Sequence, residues 1–451
     1  MASQRKLFKN GIVLTLDPNI GNFMKADVLV EYSKIAAVGP ELDVEDTEVI
    51  DASGMIVMPG FIDTHRHIWQ GIIRNIGTDH ALGDYFANVM GKLSPVYRPE
   101  DAYAGNLVSA LGAIDAGITT LLDWSHIQIT PAHTDAAISA LHDSGMRAIF
   151  GYGTPNTQVT DWWKSSGTNH DENIRRIAKQ YFSSSDQLVT LARAPRGPEF
   201  EPFEVAKHDW ELARELGIRI TVHVGGGDKG RHGKLGEMGK AGLLGPDTTY
   251  IHCCTLSDEE IQMIVDTGGT VSFSTPIEMQ MGHGIPPIQQ VLDRGLRPSL
   301  SVDVETAIAG DMFTQMRAIL ALQRSRIHLR RLDGEENLPA LLSPREVLQF
   351  ATIEGARANG LEDKVGTLTP GKEADIIMLR TNRLNVIPLN DPIGAVVSVM
   401  DTGNVDSVFV AGRALKRDGE MLHLDLNRIQ SMVNESRDYV VKASGYELPP
   451  I

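Results

Sequence analysis

Cysteine is almost missing from this chain of 451 residues: the only two, Cys253 and Cys254, are neighbours. Adjacent thiols cannot staple distant segments, and two are too few for a cysteine-built zinc site, so a reducing compartment fits. Also missing is any run of about 18 apolar residues, which excludes an evident membrane-spanning helix. The opening stretch MASQRKLFKNGIVLTLD has no apolar segment of signal-peptide length before charge returns, and a cytoplasmic location is expected. Basic side chains are the minority, 42 Lys and Arg against 58 Asp and Glu, for a formal net charge of −16. Nucleic acid and anionic membranes both need a basic face, so neither is expected as a partner. A small molecule is the expected ligand, and assembly as a homo-oligomer is expected.

What the chain does contain is enough apolar material, 42%, for one large domain and a smaller one. The first 57 residues carry short β-rich pieces, GIVLTLD, ADVLVEYSKIAAVG and EVIDASGMIV, separated by turn residues. The same texture returns after LTPGKEAD, in ADIIMLR, VVSVM and VDSVFVAGRALKRDGEM. Residues 1–57 and 370–451 are therefore expected to join into one small composite β-sandwich domain. Between them, over 58–369, eight apolar runs alternate with amphipathic stretches: IVMPGFIDTH, TTLLDW, RAIFGYG, LVTLARA, IRITVHV, TYIHCC, TVSFST and RPSLSVD. Strands alternating with helices predict an α/β fold with a parallel sheet, and eight units predict a TIM-type (β/α)8 barrel.

Barrels of this kind place their chemistry at the C-terminal ends of the strands. The first run ends in GFIDTHRHIWQG, residues 60–71, where His65 and His67 are two apart and face the same way if the segment is extended. A lone HxH is weak. The fifth run, however, ends at His223, the sixth at His252 and the eighth at Asp303. His and Asp are uncommon at buried strand ends without a shared task, and together these side chains predict metal ligation and proton transfer.

These residues resemble the amidohydrolase superfamily, in particular its cytosine deaminase, guanine deaminase and triazine hydrolase branch. MPGFIDTHRH is similar to the strand-one signature, GTLTPGKEADIIML to the return into the composite domain, and VHV, IHC and SVD to the later site positions. The resemblance implies a single divalent metal, zinc first and iron as the alternative, held by His65, His67, His223 and Asp303. His252 would stand beside the bound water or a substrate oxygen. Relatives with two metals carry a lysine after strand four; LVTLARAPRGPEF has none. Imidazole and carboxylate suit such a metal, which lowers the pKa of bound water towards about 7. That water would attack an electron-poor carbon of a heterocyclic or aromatic small molecule, breaking a C–N bond by deamination or amide opening, or a C–Cl bond. Asp303 would accept the proton and His252 orient the nucleophile or the leaving side, making both catalytic. A metal-dependent decarboxylase or lyase on the same scaffold is the alternative, and a non-catalytic assembly module a third reading.

One departure bears on the chemistry. Deaminases of this branch carry a glutamate three residues after the strand-five histidine, and here that place is Gly226. Poor turnover of cytosine or guanine and a preference for a readily departing leaving group are expected, unless Glu305 or His283 supplies the proton. The serine- and asparagine-rich stretch usual after the strand-eight aspartate is also replaced, by SVDVETAIAGDMFTQMR. Trp69, Gln70, Trp124, His126, Tyr152 and Asn156 follow strand ends and are expected to line the substrate site or to pack its loops; Glu305 can instead pair with Arg317 or another base. GGGDKG matches GxGxxG after a strand, but no acidic residue ends a following strand at the usual distance, and a flexible or wide loop over the site is the better reading. RSRIHLRRLDG at 324–334 reads as a solvated helix face, and DWWKSSG as an aromatic clamp or a packed loop.

Overall fold

The computed structural model describes residues 5–154 and 170–448; Asn156 and the DWWKSSG segment lie outside them. Five strands come first: β1 (Arg5–Leu14), β2 (Asn22–Glu31), β3 (Lys34–Gly39), β4 (Glu48–Asp51) and β5 (Met55–Pro59). Eight barrel strands follow: β6 (Phe61–Arg66), β7 (Ile118–Ser125), β8 (Arg147–Gly153), β9 (Val189–Ala194), β10 (Arg219–Val224), β11 (Thr248–His252), β12 (Thr270–Phe273) and β13 (Ser299–Leu300). The last four are β14 (Ile376–Arg380), β15 (Val405–Val410), β16 (Arg413–Arg417) and β17 (Glu420–Met421).

The strands of the two chain ends form one mixed nine-stranded sheet, in the order β17-β16-β15-β14-β5-β1-β2-β3, with β4 paired to β1. Side chains two apart share a face of a strand, and Ala26, Val28 and Val30 of β2 and Ile376 and Met378 of β14 all enter one buried core. Phe8 and Phe409 meet edge to face there, with centroids 4.9 Å apart. The composite domain expected from the sequence is thus a continuous sheet around a shared core.

β6 to β13 form the second sheet in strict chain order. β6, β7 and β8 are buried at every residue, as parallel strands covered on both faces are. Closure runs through the backbone of the functional residues themselves. A parallel bridge joins Arg66 to Asp303, with Asp303 N donating to His65 O and His67 N to Asp303 O, each at 2.9 Å. The helices between strands start and stop where the sequence marks them. Ser257 caps the helix Asp258–Asp266 reciprocally with Glu260, and Gly145 ends Pro131–Ser144 in the left-handed region at φ 73°.

Two expectations need correction. The run IVMPGFIDTH is two strands: β5 pairs with β1 and β14 in the composite sheet, and only β6 enters the barrel. Gly60 lies at the break, where a Cβ would overlap the Thr119 side chain. The chain also divides elsewhere than expected, into one compact unit of Met1–Asp63, Ala113–Thr120 and Asp311–Leu424 and another of Thr64–Gly112, Leu121–Gly310 and Asp425–Ile451. Residues 311–369 belong to the first unit, where Phe313 packs on Phe61 and Ile62 N donates to Ala351 O. The C-terminal helix Leu426–Ser444 belongs to the second, burying Val440 against a cluster that includes Trp69, Tyr85 and Tyr97.

No helix among the described residues is long and apolar enough to cross a membrane. The basic run lies on the helix Met312–Leu332, with Arg330 pairing with Glu335 and Arg324 donating to Leu342 O. GGGDKG forms a short turn of 3-10 helix, Gly227–His232, after barrel strand β10, so it does not open a nucleotide-binding helix.

Candidate metal centre and active-site cavity

Four imidazoles and one carboxylate converge at the ends of β6, β10, β11 and β13. His65 Nε2 is 3.1 Å from Asp303 Oδ1 and 3.2 Å from His223 Nε2. His67 Nε2 lies 3.4 Å from Asp303 Oδ1, and His252 Nε2 lies 3.9 Å from Asp303 Oδ2. Both His252 and Asp303 sit at positive φ, 73° and 67°, where residues with a Cβ are rare. Such backbone strain concentrates at functional sites.

The surrounding hydrogen bonds aim the rings. His67 Nδ1 meets Trp124 O at 2.7 Å, which as a donated bond leaves Nε2 with its lone pair towards Asp303. His252 Nδ1 meets Glu278 Oε1 at 3.2 Å, and the same oxygen accepts Ser274 N at 2.9 Å. Burial, reinforced by neighbouring imidazoles, lowers His67 from 6.5 to about 3 and His252 to about 4, and holds His223 well below its usual value. These rings are therefore neutral at pH 7, the form that ligates metals. Burial pushes the Asp303 carboxyl up, but the His65 hydrogen bond and the surrounding imidazoles outweigh it and keep the group ionised.

The donor set fits a divalent metal. Candidate ligand atoms of His65, His67 and Asp303 lie within 4.8 Å of one another, as do those of His65, His223 and His252 and those of His252, His283 and Asp303. Neutral imidazole nitrogens facing an ionised carboxylate suit zinc or iron rather than calcium or magnesium.

A cavity of about 590 Å³ opens over this cluster. Of the residues expected at the substrate, Trp124, His126 and His283 line it, beside His67, His223, His252 and Asp303. Trp69, Gln70, Tyr152 and Glu305 are not on its wall, and each is held from behind. The Trp69 indole donates to His126 Nδ1 at 2.8 Å, and Gln70 Nε2 donates to the Tyr85 hydroxyl at 2.6 Å. The Tyr152 hydroxyl accepts from Asn173 Nδ2 at 3.0 Å. Glu305 pairs with Arg74 at 3.0 Å and Arg66 at 3.5 Å and takes the Ser109 hydroxyl, whereas Arg317 donates instead to Met400 O. Tyr85, Arg196 and Glu199 are among the lining residues that the sequence does not single out. Arg196 and Glu199 stand in RAPRGPEF, directly after β9, and that position was the available signal.

A profile of the amidohydrolase family matches residues 56–415. The chain belongs to that family. A 5'-deoxyadenosine deaminase of Methanosarcina mazei is 27% identical over 96% of this chain and 98% of its own. Among solved structures, an adenosine deaminase from Xanthomonas campestris with bound zinc superposes with a TM-score of 0.83 at 19% identity, covering 97% of this chain and 98% of that one. An atrazine chlorohydrolase from Arthrobacter aurescens TC1, complexed with zinc, gives 0.82 at 22%, covering 96% and 100%. As a member of a metal-dependent family with this site, the protein is a hydrolase of carbon–nitrogen bonds other than peptide bonds. Neither the lyase alternative nor the assembly module is favoured.

Proposed function

We propose that the protein deaminates an amino-substituted heterocycle of about nucleoside size, using one zinc ion held by His65, His67, His223 and Asp303. The observation that carries this reading is the meeting of those four side chains with His252, all of which except His65 line one cavity. Its volume of about 590 Å³ falls in the range of sites that enclose small organic ligands. The likeness to 5'-deoxyadenosine deaminase over nearly the whole chain supports a purine nucleoside as the first substrate class to examine. Iron is the alternative metal.

When bound, the metal supplies Lewis acidity and a water acidic enough to serve as nucleophile near neutral pH. The remaining steps fall to side chains. Asp303, ionised and central, accepts the proton of the attacking water. His252, its Nδ1 tied to Glu278, holds Nε2 over the same point and orients the oxygen that adds to the ring carbon. Trp124 and Met281 offer apolar wall to a flat heterocycle. A second reading, displacement of chloride from an activated ring, draws on Gly226, which offers the cavity no acidic side chain to assist an amine leaving group. A cytoplasmic location and a homo-oligomeric assembly belong to the same proposal; the free thiols of Cys253 and Cys254 fit a reducing compartment.

The test is a metal-reconstituted assay against 5'-deoxyadenosine, adenosine, cytosine, guanine, a cyclic amide and a chlorotriazine, with ammonia, chloride and carbon dioxide measured separately. Ammonia from an aminated heterocycle supports the proposal. Chloride release without ammonia supports the second reading, and carbon dioxide would overturn both.

A further inference from the structure

The carboxylate missing at Gly226 has a counterpart from another loop. Glu199 lies in the segment after β9, lines the same cavity, and its Oε1 accepts the Gly225 amide at 2.5 Å. A side chain built at Gly226 would start beside His283, its Cβ 3.6 Å from Cδ2 of that ring. The His283 ring in turn packs 4.5 Å from that of His252. The Glu199 carboxyl thus reaches the backbone from which the usual glutamate would spring, on the wall that leads to His252 and Asp303. Its other oxygen, Oε2, is buried with no hydrogen-bond partner among the described residues. Nearby bases do not neutralise it: Lys229 is drawn over the Phe200 ring at 4.3 Å, and Arg196 leans towards Glu201 at 4.0 Å.

We infer that Glu199 is the general acid of this site, contacting the substrate and carrying the proton that a ring nitrogen needs as water adds to the neighbouring carbon. The inference rests on the deaminase reading above. Written out, the water oxygen bonds to the ring carbon while its proton passes to Asp303 and the Glu199 proton passes to the ring nitrogen. Collapse of the adduct breaks the exocyclic C–N bond, and the amine leaves as ammonia with the proton from Asp303. The new hydroxyl returns its proton to Glu199, so one water is consumed and both carboxyls are restored.

The chemistry of the group agrees with the geometry. Burial raises the Glu199 carboxyl to about 7 against the amides of Gly225 and Gly226, with Glu260 adding to the rise and Lys229 opposing it. A group half protonated near neutral pH is suited to give and take a proton within one turnover. A merely structural glutamate tying down the glycine loop would serve equally well fully ionised.

The experiment compares the parent with Glu199→Gln on matched amino- and chloro-substituted heterocycles, after circular dichroism and metal content are shown to agree. A positioned acid contributes roughly a hundredfold or more, so kcat on the amino substrate should fall by at least that much. A chloro-substituted ring carbon is already electron-poor and leans less on protonation of the ring nitrogen, so the ratio of amino to chloro turnover should shift by about tenfold or more. Equal losses on both substrates, or none, would overturn the assignment. Glu199→Asp, which withdraws the acid by one methylene, serves if the glutamine variant does not fold, and the same shift in ratio is expected. If the parent releases no ammonia from any substrate, the deaminase reading fails separately. The acid is then judged by calorimetry of purine riboside binding in two buffers of different ionisation enthalpy, where proton transfer present in the parent and absent in Glu199→Gln supports it, and none in the parent refutes it.

Discussion

Glu278 Oε1 lies 3.2 Å from His252 Nδ1 and accepts the Ser274 amide at 2.9 Å. Glu278 is fully buried, its carboxyl is pushed well above the usual range by that burial, and its second oxygen has no hydrogen-bond partner among the described residues. What His252 needs from it is an accepting oxygen rather than a charge. Glu278→Gln keeps that oxygen and should lower kcat less than about tenfold, whereas Glu278→Ala frees the His252 ring and should cost about 10- to 100-fold, the usual range for an outer partner of a site histidine. Steady-state kinetics on both variants checks this; equal damage would mean that the negative charge itself is required.

Metal content should separate the roles of the histidines. Protein purified without added metal is expected to hold about one zinc or iron per chain, in keeping with a single mononuclear site. His65→Ala should lose it, since His65 lies within reach of Asp303 and His223 together. His252→Ala should keep most of it and lose about a hundredfold or more in kcat, and Asp303→Asn should lose turnover through the missing proton acceptor. Elemental analysis of the three variants decides; two equivalents in the active parent, or equal metal loss in His252→Ala and His65→Ala, would contradict the assignment.

The ends of the barrel strands were legible because each is a short apolar run that stops at a polar ligand type, and strand order follows chain order. His65, His223, His252 and Asp303 came from that rule and His67 from its place two residues after His65, and the structure sets them in overlapping triads. Tyr85 and Glu278 were not legible, since each reaches the site from a short helix whose path depends on tertiary packing, whereas Glu199 follows β9 and lay open to the same rule. The side chains after β6 show the opposite failure. Sequence proximity to His67 put Trp69 and Gln70 at the substrate, but the chain turns into a short helix, Ile68–Ile73, that buries both behind the wall. The C-terminal helix was assigned to the composite domain by its place in the chain, yet its apolar face finds its partners around Trp69.

Gly60 marks the place where one apolar run becomes two strands, and it tolerates no side chain. A Cβ there would lie 2.7 Å from the Thr119 Cβ and closer still to the rest of that side chain. Gly60→Ala should therefore destabilise the fold by about 1–3 kcal/mol, the usual cost of overpacking. Thr119→Ala in the same chain should recover part of that loss, because it removes the nearest atoms but not the Cβ. Denaturant unfolding of the two single variants and the double variant measures the coupling, and strictly additive effects would show that the contact is not the cause.

Acid should weaken the metal-free protein through its buried imidazoles. Folding lowers His67 from 6.5 to about 3, His252 to about 4 and His283 to about 3, chiefly by burial. Between those values and the ordinary 6.5 the unfolded chain binds protons that the folded rings refuse, so the histidine share of the stability rises with pH across this window, while the raised Asp123, Glu199 and Glu201 carboxyls act in the opposite sense. The histidine share is fully present above about pH 6.5 and drains away as pH falls towards 4, before the folded rings begin to take up protons. His283→Asn removes one such group without touching the four proposed ligands, and should flatten the fall in Tm between the two ends of the window. Scanning calorimetry of stripped protein at several pH values tests this. A Tm that falls as steeply in the asparagine variant as in the parent would mean that the His283 ring takes up protons inside the fold and that the cluster is less sealed from water than its burial implies.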